Sequence, residues 1–219
     1  METWSSLLAD IRADLQDTSD KPRWANDTLY VYAKDALRDY STWFPRRLDR
    51  LELVLIEDKY PLPADFIEDI QVECPLNTFL ERRLDRPGVK YRKHRLYYFI
   101  QGGSLYLSGA PLGEGGTNSS GLYLTYLASH PVPASSADLT FVLTVPDADM
   151  ELVRLYVKAK IFGLMRSKTA TLDRYKPVGD RQDNPLAPET DDLWSEYYAK
   201  IAQRIPGGVI SLYRAGRLK

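Results

Sequence analysis

The hydrophobic pattern changes its period twice along the chain, and this change constrains the fold more than any other feature. Apolar residues recur at helical spacing up to Pro45, as short β-forming runs with glycine turns over residues 50–130, and again at helical spacing from Val145. This order predicts an α+β fold: a helical bundle of two N-terminal and two C-terminal helices, an inserted antiparallel β region and an extended C-terminal arm. A length of 219 residues suits one domain with an insertion better than two independent domains.

Two amphipathic helices are predicted before Pro45. The first covers residues 3–17 with Thr3 as its N-cap, and the second begins at a side-chain cap supplied by Asn26 or Asp27. The second helix carries an apolar stripe of Leu29, Ala33, Ala36, Leu37 and Tyr40. This helix ends near Phe44, because a proline disfavours helical backbone in the residue before it.

Short strands are predicted in the middle of the chain. Residues 96–100 and 104–107 flank Gln101-Gly-Gly103, which is typical of a tight hairpin. Further strands are expected within residues 51–56, 67–72 and 121–127. The glycine-rich segment 113–121 is predicted to be an exposed loop.

A long helix is predicted from Val145-Pro-Asp147 to about Ser167, with Asp149 and Glu151 complementing the dipole of its first turn. It carries two apolar stripes, which are Met150, Val153, Val157, Ile161 and Leu164, and Leu152, Leu155, Ala159 and Phe162. A helix that is apolar on two sides is buried on two sides. Two interpretations remain open: it is the central helix of the fold, or it also packs against a neighbouring subunit.

The C-terminal part contains a polar loop over 173–188, a helix over 189–203 and a tail with β-forming residues at 209–213. A short terminal strand needs a sheet to pair with, either in this chain or in another protein, and both readings stay open. The predicted segments are 1–48 for the N-terminal helices, 49–145 for the β region, 146–206 for the C-terminal helices and 207–219 for the arm.

The charge balance disfavours a strongly basic nucleic-acid binder, because the net charge is −1. The charge is unevenly distributed, since residues 1–20 contain five acids and one arginine, whereas residues 197–219 contain five bases and no acid. A single cysteine, Cys74, excludes an internal disulfide. We expect no secretory signal and no membrane span, because the required apolar runs are missing from the sequence.

Motifs for catalysis or cofactor binding are weak. His94 and His130 lack the local ligand spacing of a zinc site, and the alternating acids Asp147, Asp149 and Glu151 are typical of a helix first turn. The loop 113–121 lacks the Lys-Ser/Thr ending of a phosphate cradle. The basic run at 90–95 suits a solvated hairpin better than a nucleic-acid site in a neutral chain. We therefore expect no metal, no cofactor and no catalytic residues.

The order of elements and several short motifs resemble the head-to-tail adaptor (connector or head-completion) proteins of tailed bacteriophages. The motifs are Trp43-Phe44 at the end of the second helix, Tyr60-Pro-Leu-Pro-Ala-Asp-Phe66, the hairpin Tyr98–Tyr106 with I-x-G-x-x-L-Y character, the strand Leu122-Tyr-Leu-Thr-Tyr126, and Val145-Pro-Asp147 at the start of the long helix. The resemblance covers nearly the whole chain.

The resemblance implies a structural virion protein that forms a ring below the portal, usually a dodecamer, extends the DNA channel and gives a tail or nozzle protein its attachment surface. DNA would pass without sequence-specific binding, and no membrane is involved. The matching portal-binding arm contains Val209, Ile210, Leu212, Tyr213, Arg214 and Arg217. Subunit contacts are expected at Leu152, Leu155, Tyr156 and Phe162. An acidic surface on the first helices would repel DNA if it lined the channel. The protein would reside in the virion neck, and in the host cytoplasm during assembly.

Two other classes of function are alternatives. A ligand- or carbohydrate-binding β module of a phage tail or host protein would use exposed tyrosines to stack on sugars, and 15 of the 25 aromatic residues are tyrosines. An enzyme would require an essential carboxylate among Asp147, Asp149 and Glu151.

Overall fold

The computed structural model describes residues 2–56, 59–83, 96–108, 121–173 and 186–205. Its contacts divide the chain into two compact units, Met1–Phe44 with His130–Lys219, and Pro45–Ser129. We call the first the helical unit and the second the β unit. The fold is therefore α+β, as the change of hydrophobic period predicts.

The helical unit begins with α1 (Trp4–Asp14) and α2 (Asn26–Trp43). The side chain of Thr3 caps α1 by accepting a hydrogen bond from the amide of Ser6, as predicted. All five residues of the predicted α2 stripe are buried. The prediction of a side-chain cap on α2 was wrong, because the N-cap is Ala25. Asn26 instead accepts a hydrogen bond from Arg12, and Asp27 accepts one from Ser136.

The C-terminal helices are α3 (Met150–Asp173) and α4 (Leu186–Arg204). A 3₁₀ turn at Asp147–Asp149 precedes α3, so the Pro-acid segment opens the helix where the sequence predicts. Both helices are longer than predicted. Pro188 lies in the first turn of α4, where the missing amide hydrogen costs no helical hydrogen bond. The core of this unit is formed by buried residues of all four helices, with Trp4, Leu29, Leu152, Ile161 and Tyr197 among the most deeply buried.

Residues 130–145 pack within the helical unit. The amide of Trp4 donates to the carbonyl of Phe141, Thr3 forms a β-bridge with Val142, and Leu143 is fully buried in the helical core. Residues 130–145 therefore belong to the helical unit by their contacts, whereas the sequence pattern grouped them with the β region.

Hydrogen bonds of His130 join the place where the chain leaves the helical unit to the place where it returns. Its amide donates to Oγ of Ser41, and its Nε2 lies 3.0 Å from the carbonyl oxygen of Phe44. A carbonyl only accepts hydrogen bonds, so Nε2 donates to it, while Nδ1 lies 2.8 Å from the hydroxyl oxygen of Thr144. Phe44 is the last residue before the β unit and His130 is the first residue after it, and these two residues therefore lie side by side.

The β unit contains two sheets. One has the order β1-β7-β3, with β1 (Arg46–Leu53) and β3 (Phe66–Glu73) antiparallel to the central β7 (Leu122–Ala128). The other has the order β2-β6-β5-β4. Its strands are β2 (Tyr60–Pro61), β4 (Glu81–Arg82), β5 (Tyr97–Gln101) and β6 (Ser104–Ser108).

The predicted hairpin joins β5 to β6 through Gly102 and Gly103, whose φ angles are 57° and 76°. Glycine adopts these left-handed angles without the steric cost that other residues incur. Antiparallel pairing predominates as predicted, with one exception among the described strands, since β4 pairs parallel to β5. The strand predicted at 51–56 lies earlier in the structure, because β1 already begins at Arg46 and ends at Leu53.

Candidate interaction surfaces of the helical unit

The four residues that the sequence assigned to subunit contacts differ in burial, although they share one broad side of α3. Leu152 is 0% exposed and Tyr156 is 9% exposed, both within the unit's own core, whereas Leu155 and Phe162 are half-buried. Leu155 and Phe162, seven positions apart, lie together at the solvent-facing border of that side. Leu152 has no surface left for a neighbouring subunit, so the hypothesis is limited to Leu155 and Phe162.

Leu155 lies in a cleft of about 270 Å³ between α1, α3 and α4. The cleft is lined by Asp14, Glu151, Arg154, Leu155, Lys158, Leu193 and Glu196. Leu155 and Leu193 supply its apolar lining, and the remaining side chains are charged. A mixture of a few apolar and many charged side chains is typical of the polar rim of a protein interface.

Ion pairs at this cleft connect the helices to one another. Arg154 lies 3.0 Å from a carboxylate oxygen of Asp10 and 3.8 Å from one of Asp14. Lys200 contacts Glu151 and lies 3.0 Å from Glu196. The hydrogen bond from Lys200 lowers the pKa of Glu151 below its ordinary value. These side chains are partly exposed, so each pair contributes only modestly to stability, and its main effect is to orient the charged rim.

Phe162 lies further along the same face of α3. The ammonium of Lys158 stands 5.8 Å from the centre of its ring, a cation–π arrangement at a half-exposed position. An aromatic ring that keeps part of its surface in water while carrying a cation is suited to burial against a partner.

Several tyrosine hydroxyls form hydrogen bonds within the chain, and the sequence did not predict these bonds. Tyrosines donate hydrogen bonds to aspartates in both units, in the pairs Tyr40–Asp149, Tyr98–Asp69, Tyr126–Asp65 and Tyr197–Asp39. Each pair joins residues at least 29 positions apart in sequence, so no local motif signals it. Part of the high tyrosine content therefore serves the fold.

An aromatic cluster on α3 and α4 surrounds Tyr197. Edge-to-face contacts join its ring to Tyr156 at 5.6 Å and to Trp194 at 5.8 Å, measured between ring centres. Burial is the main reason that the pKa of Tyr156 rises to about 12. Lys160 stands over the rings of Tyr156 and Trp194 at 5.2 and 5.7 Å. The cluster fixes α4 on α3.

The acidic residues at the start of α3 also hold other helices in place. Asp149 accepts a hydrogen bond from Tyr40 of α2 and forms an ion pair of 2.6 Å with Arg204 of α4. Arg204 additionally donates to the carbonyl of Ala148. Among the carboxylates that an enzyme would need, that of Asp149 is therefore already bound by side chains of α2 and α4.

The acidic N-terminal segment is partly neutralised. Asp17 is buried and accepts hydrogen bonds from Arg12 and from the amides of Arg23 and Trp24, which closes the turn after α1. Asp10 and Asp14 face Arg154. The acidic surface proposed for a DNA channel is correspondingly weaker than the sequence charge indicates.

Several predicted sites lie outside the described residues. These are the arm residues Val209, Ile210, Leu212, Tyr213, Arg214 and Arg217, residue His94, all of the segment 90–95, and residues 113–120 and 174–185 of the two predicted loops. Cys74 is half-buried, and burial raises the pKa of its thiol. No cluster of three or more potential metal ligands occurs among the residues that the structure describes. Likewise, no helix in the described ranges combines the length and apolarity needed to cross a membrane.

Comparison with known proteins adds one match. The model of a family described as SU10 adaptor protein matches residues 2–204, which include the β unit and all four helices of the helical unit. A search of curated proteins gives no significant match.

Proposed function

We propose that this chain acts as an adaptor in the neck of a bacteriophage, because it belongs to the SU10 adaptor protein family, as the match over residues 2–204 shows. A phage adaptor is a structural protein. The proposal is that the chain forms a ring on the portal protein, extends the DNA channel and presents the attachment surface for a tail or nozzle protein. The observation that carries it is the extent of the family match, which spans the helical unit and the β unit together.

The C-terminal arm is the proposed portal-binding element. The proposed arm, residues 207–219, comes three positions after Arg204, which anchors the last turn of α4 to Asp149 and to the carbonyl of Ala148. These residues contain three bases and no acid, together with Val209, Ile210, Leu212 and Tyr213. β-forming residues next to positive charge suit pairing with a sheet edge on an acidic partner surface.

Subunits are proposed to pack side by side through the helical unit. Of the four α3 residues predicted to contact a neighbour, Leu155 in its charged cleft and Phe162 beneath Lys158 are the half-buried ones. A ring interface is heterologous, so this face would meet a different face of the next copy. We propose a dodecamer that assembles in the host cytoplasm, through which DNA passes without sequence-specific binding, and we propose no enzymatic activity.

Deletion of residues 207–219 tests the role of the arm. We expect the truncated chain to keep its helical circular dichroism and to lose capture by immobilised portal protein. A matched control keeps the arm and its bases but replaces Val31, an exposed residue of α2, with glutamate. Capture of the truncated chain at the level of the wild type would contradict the proposal.

Mass photometry tests the ring and its helical contact. The wild-type chain is expected to form a ring when portal protein is added, and Phe162→Glu is expected to reduce ring occupancy because it places a charge in the contact. Val31→Glu again serves as the control, since Val31 is 52% exposed in the same unit. A Phe162→Glu chain that fills the ring as completely as the wild type would remove Phe162 from the contact.

A further inference from the structure

A two-stranded β ribbon in the helical unit leaves one of its edges unpaired. Thr3 and Val142 form an antiparallel bridge, and its two hydrogen bonds are made by the residues on either side of each of them. In this pattern the amide and carbonyl of Val142 point away from the N-terminal strand of the ribbon. Neither group forms a backbone hydrogen bond with any residue that the structure describes. We call the side of residues 139–143 to which these two groups point the outer edge.

The outer edge is accessible and lacks the usual protection against pairing. Val142 is 48% exposed and Leu139 is 45% exposed, whereas Leu143 on the opposite face is fully buried. The segment Leu139-Thr-Phe-Val-Leu143 contains no charged residue and no proline. Exposed strand edges normally carry such residues or are covered by another segment of protein. We therefore expect the outer edge to be covered.

The C-terminal arm contains a strand that needs such an edge. Residues 209–213, with the sequence Val-Ile-Ser-Leu-Tyr, are mostly β-forming, and a strand of this length is not stable without a sheet. Successive side chains of a strand point to opposite faces. Ile210 and Leu212 would thus share one face, which matches the inward face of the ribbon at Leu143.

The arm also begins close enough to reach the outer edge of its own chain. The described chain ends at Ile205, directly after Arg204, which donates to the carbonyl of Ala148 at 2.6 Å. Val142 precedes Ala148 by six residues, a span of at most about 22 Å. The nine residues from Ile205 to Tyr213 span about 30 Å when extended.

Tethering favours an edge in the same chain over an edge in another copy. A strand joined to its site by a short linker has an effective concentration in about the millimolar range. A second copy at about micromolar concentration competes about a thousandfold less well for the same edge. The free chain is therefore expected to bind its own arm.

We infer that, before assembly, residues 209–213 pair with the outer edge at Val142 of the same chain, as a third strand of the ribbon. The arm that is proposed to bind the portal is then held on its own subunit until the portal displaces it. This release rests on the proposed function, whereas the pairing in the free chain does not. Pairing of this kind prevents the arm from joining copies of the chain to one another before the portal is present.

Amide hydrogen exchange in the free chain tests the pairing. The amide of Val142 is expected to exchange at least about tenfold faster after deletion of residues 207–219, because the arm supplies its proposed acceptor. The amide of Leu143 is the matched internal control, since it donates to the carbonyl of Glu2, and its exchange should change by less than about twofold. Equal exchange of Val142 in both chains, or equal acceleration of both amides, would overturn the inference.

Dilution distinguishes pairing within one chain from pairing between copies. Protection of the Val142 amide is expected to stay constant when the full-length protein is diluted about a hundredfold, because an intramolecular contact does not depend on concentration. Loss of protection on dilution, together with dimers in mass photometry, would overturn the inference in favour of exchange of arms between copies.

A substitution at the edge tests the same pairing without changing the arm. Val142→Pro removes the outward amide, while the hydrogen bonds of the neighbouring residues to the N-terminal strand stay in place. Val142→Thr is the matched control, because threonine is also β-branched and keeps the amide. At equal helical circular dichroism, trypsin is expected to cleave after Arg214 and Arg217 at least about fivefold faster in Val142→Pro than in Val142→Thr. Equal cleavage rates would contradict the inference.

The two proposals fail separately. If deletion of the arm leaves exchange of the Val142 amide unchanged but abolishes capture by the portal, the pairing within the chain is refuted and the portal-binding role stands. If deletion accelerates exchange at Val142 but leaves portal capture unchanged, the portal-binding role is refuted and the pairing stands.

Discussion

The buried and partly exposed positions of α3 can be distinguished by two substitutions of the same kind, Leu152→Ala and Leu155→Ala. Both remove the same atoms from the same helix, only three positions apart. Leu152 is 0% exposed in the helical core, whereas Leu155 is half-buried in the cleft with Leu193. Helix propensity changes equally at both sites, so the difference between the variants reports burial alone.

The magnitudes follow from the two environments. Removing a fully buried leucine side chain lowers the free energy of unfolding by about 3–5 kcal/mol, through lost burial and the cavity left behind. At Leu155 only part of that area is lost and water can enter the open cleft, so we expect about 1 kcal/mol. In a chain of this size each kcal/mol lowers the melting temperature by roughly 2–4 °C, so Leu152→Ala should lower it by at least about 6 °C.

Tryptophan fluorescence measures the relevant unit directly. All four tryptophans, Trp4, Trp24, Trp43 and Trp194, belong to the helical unit. Urea unfolding followed by this signal therefore reports the unit that contains α3, without a contribution from the β unit. The unfolding midpoint is expected to fall strongly for Leu152→Ala and slightly for Leu155→Ala.

Equal losses in the two variants, or a larger loss at Leu155, would refute the difference in burial between these two residues. In that case Leu152 would again be available for a subunit contact, and the restriction of the helical interface to Leu155 and Phe162 would be withdrawn. A measurement in the presence of portal protein gives the converse: Leu155→Ala should weaken ring formation even though it barely alters stability.

Three further predictions concern tyrosines and the hairpin. Tyr197→Phe removes the hydrogen bond to Asp39 and should lower the free energy of unfolding by about 1.5 kcal/mol in urea, whereas Tyr198→Phe should change it by under about 0.5 kcal/mol; equal effects would show that the bond adds nothing. Burial raises the pKa of Tyr156 and Tyr126 to about 12, above the ordinary value near 10, so their contribution to stability is complete below pH 10 and is lost as the pH rises through about 12. Absorbance of tyrosinate and circular dichroism followed together from pH 9 to 13 check this, and full ionisation near pH 10 with the fold intact would contradict it. Gly103→Ala should destabilise the hairpin by about 1 kcal/mol, seen as faster amide exchange in β5 and β6, because φ is 76° there; unchanged exchange would contradict the strain argument.

Features that depend on local pattern were predictable from the sequence. The five-residue apolar stripe of α2, the Thr3 cap and the Gly102–Gly103 turn each follow from spacing or backbone preference within a few residues. The Pro-acid opening of α3 is equally local. The family resemblance added the function, which the residues alone did not reveal, since it rests on the order of all elements rather than on one motif.

The remaining features depend on distant parts of the chain. Strand β1 begins with Arg46 and Arg47, whose polar side chains give no strand signal, and its pairing with β7 is what makes it a strand. The two bulges in β3 interrupt the alternation of Ile67 and Ile70, so the sequence showed only a partial pattern. Asn26 and Asp27 accept hydrogen bonds from Arg12 and Ser136 and do not cap α2. Only the tertiary structure brings Arg12 and Ser136 near them.

The way His130 joins the exit and return points of the helical unit has an evolutionary consequence. Since its Nε2 lies 3.0 Å from the carbonyl oxygen of Phe44, the chain between them begins and ends at nearly one place. The entropy cost of closing such a gap grows only slowly with its length, so the helices place little demand on what is inserted there. Insertions, deletions and exchange of whole segments are therefore expected to accumulate between residues 45 and 129 in relatives of this chain, while Ser41, Phe44, His130 and Thr144 themselves are retained.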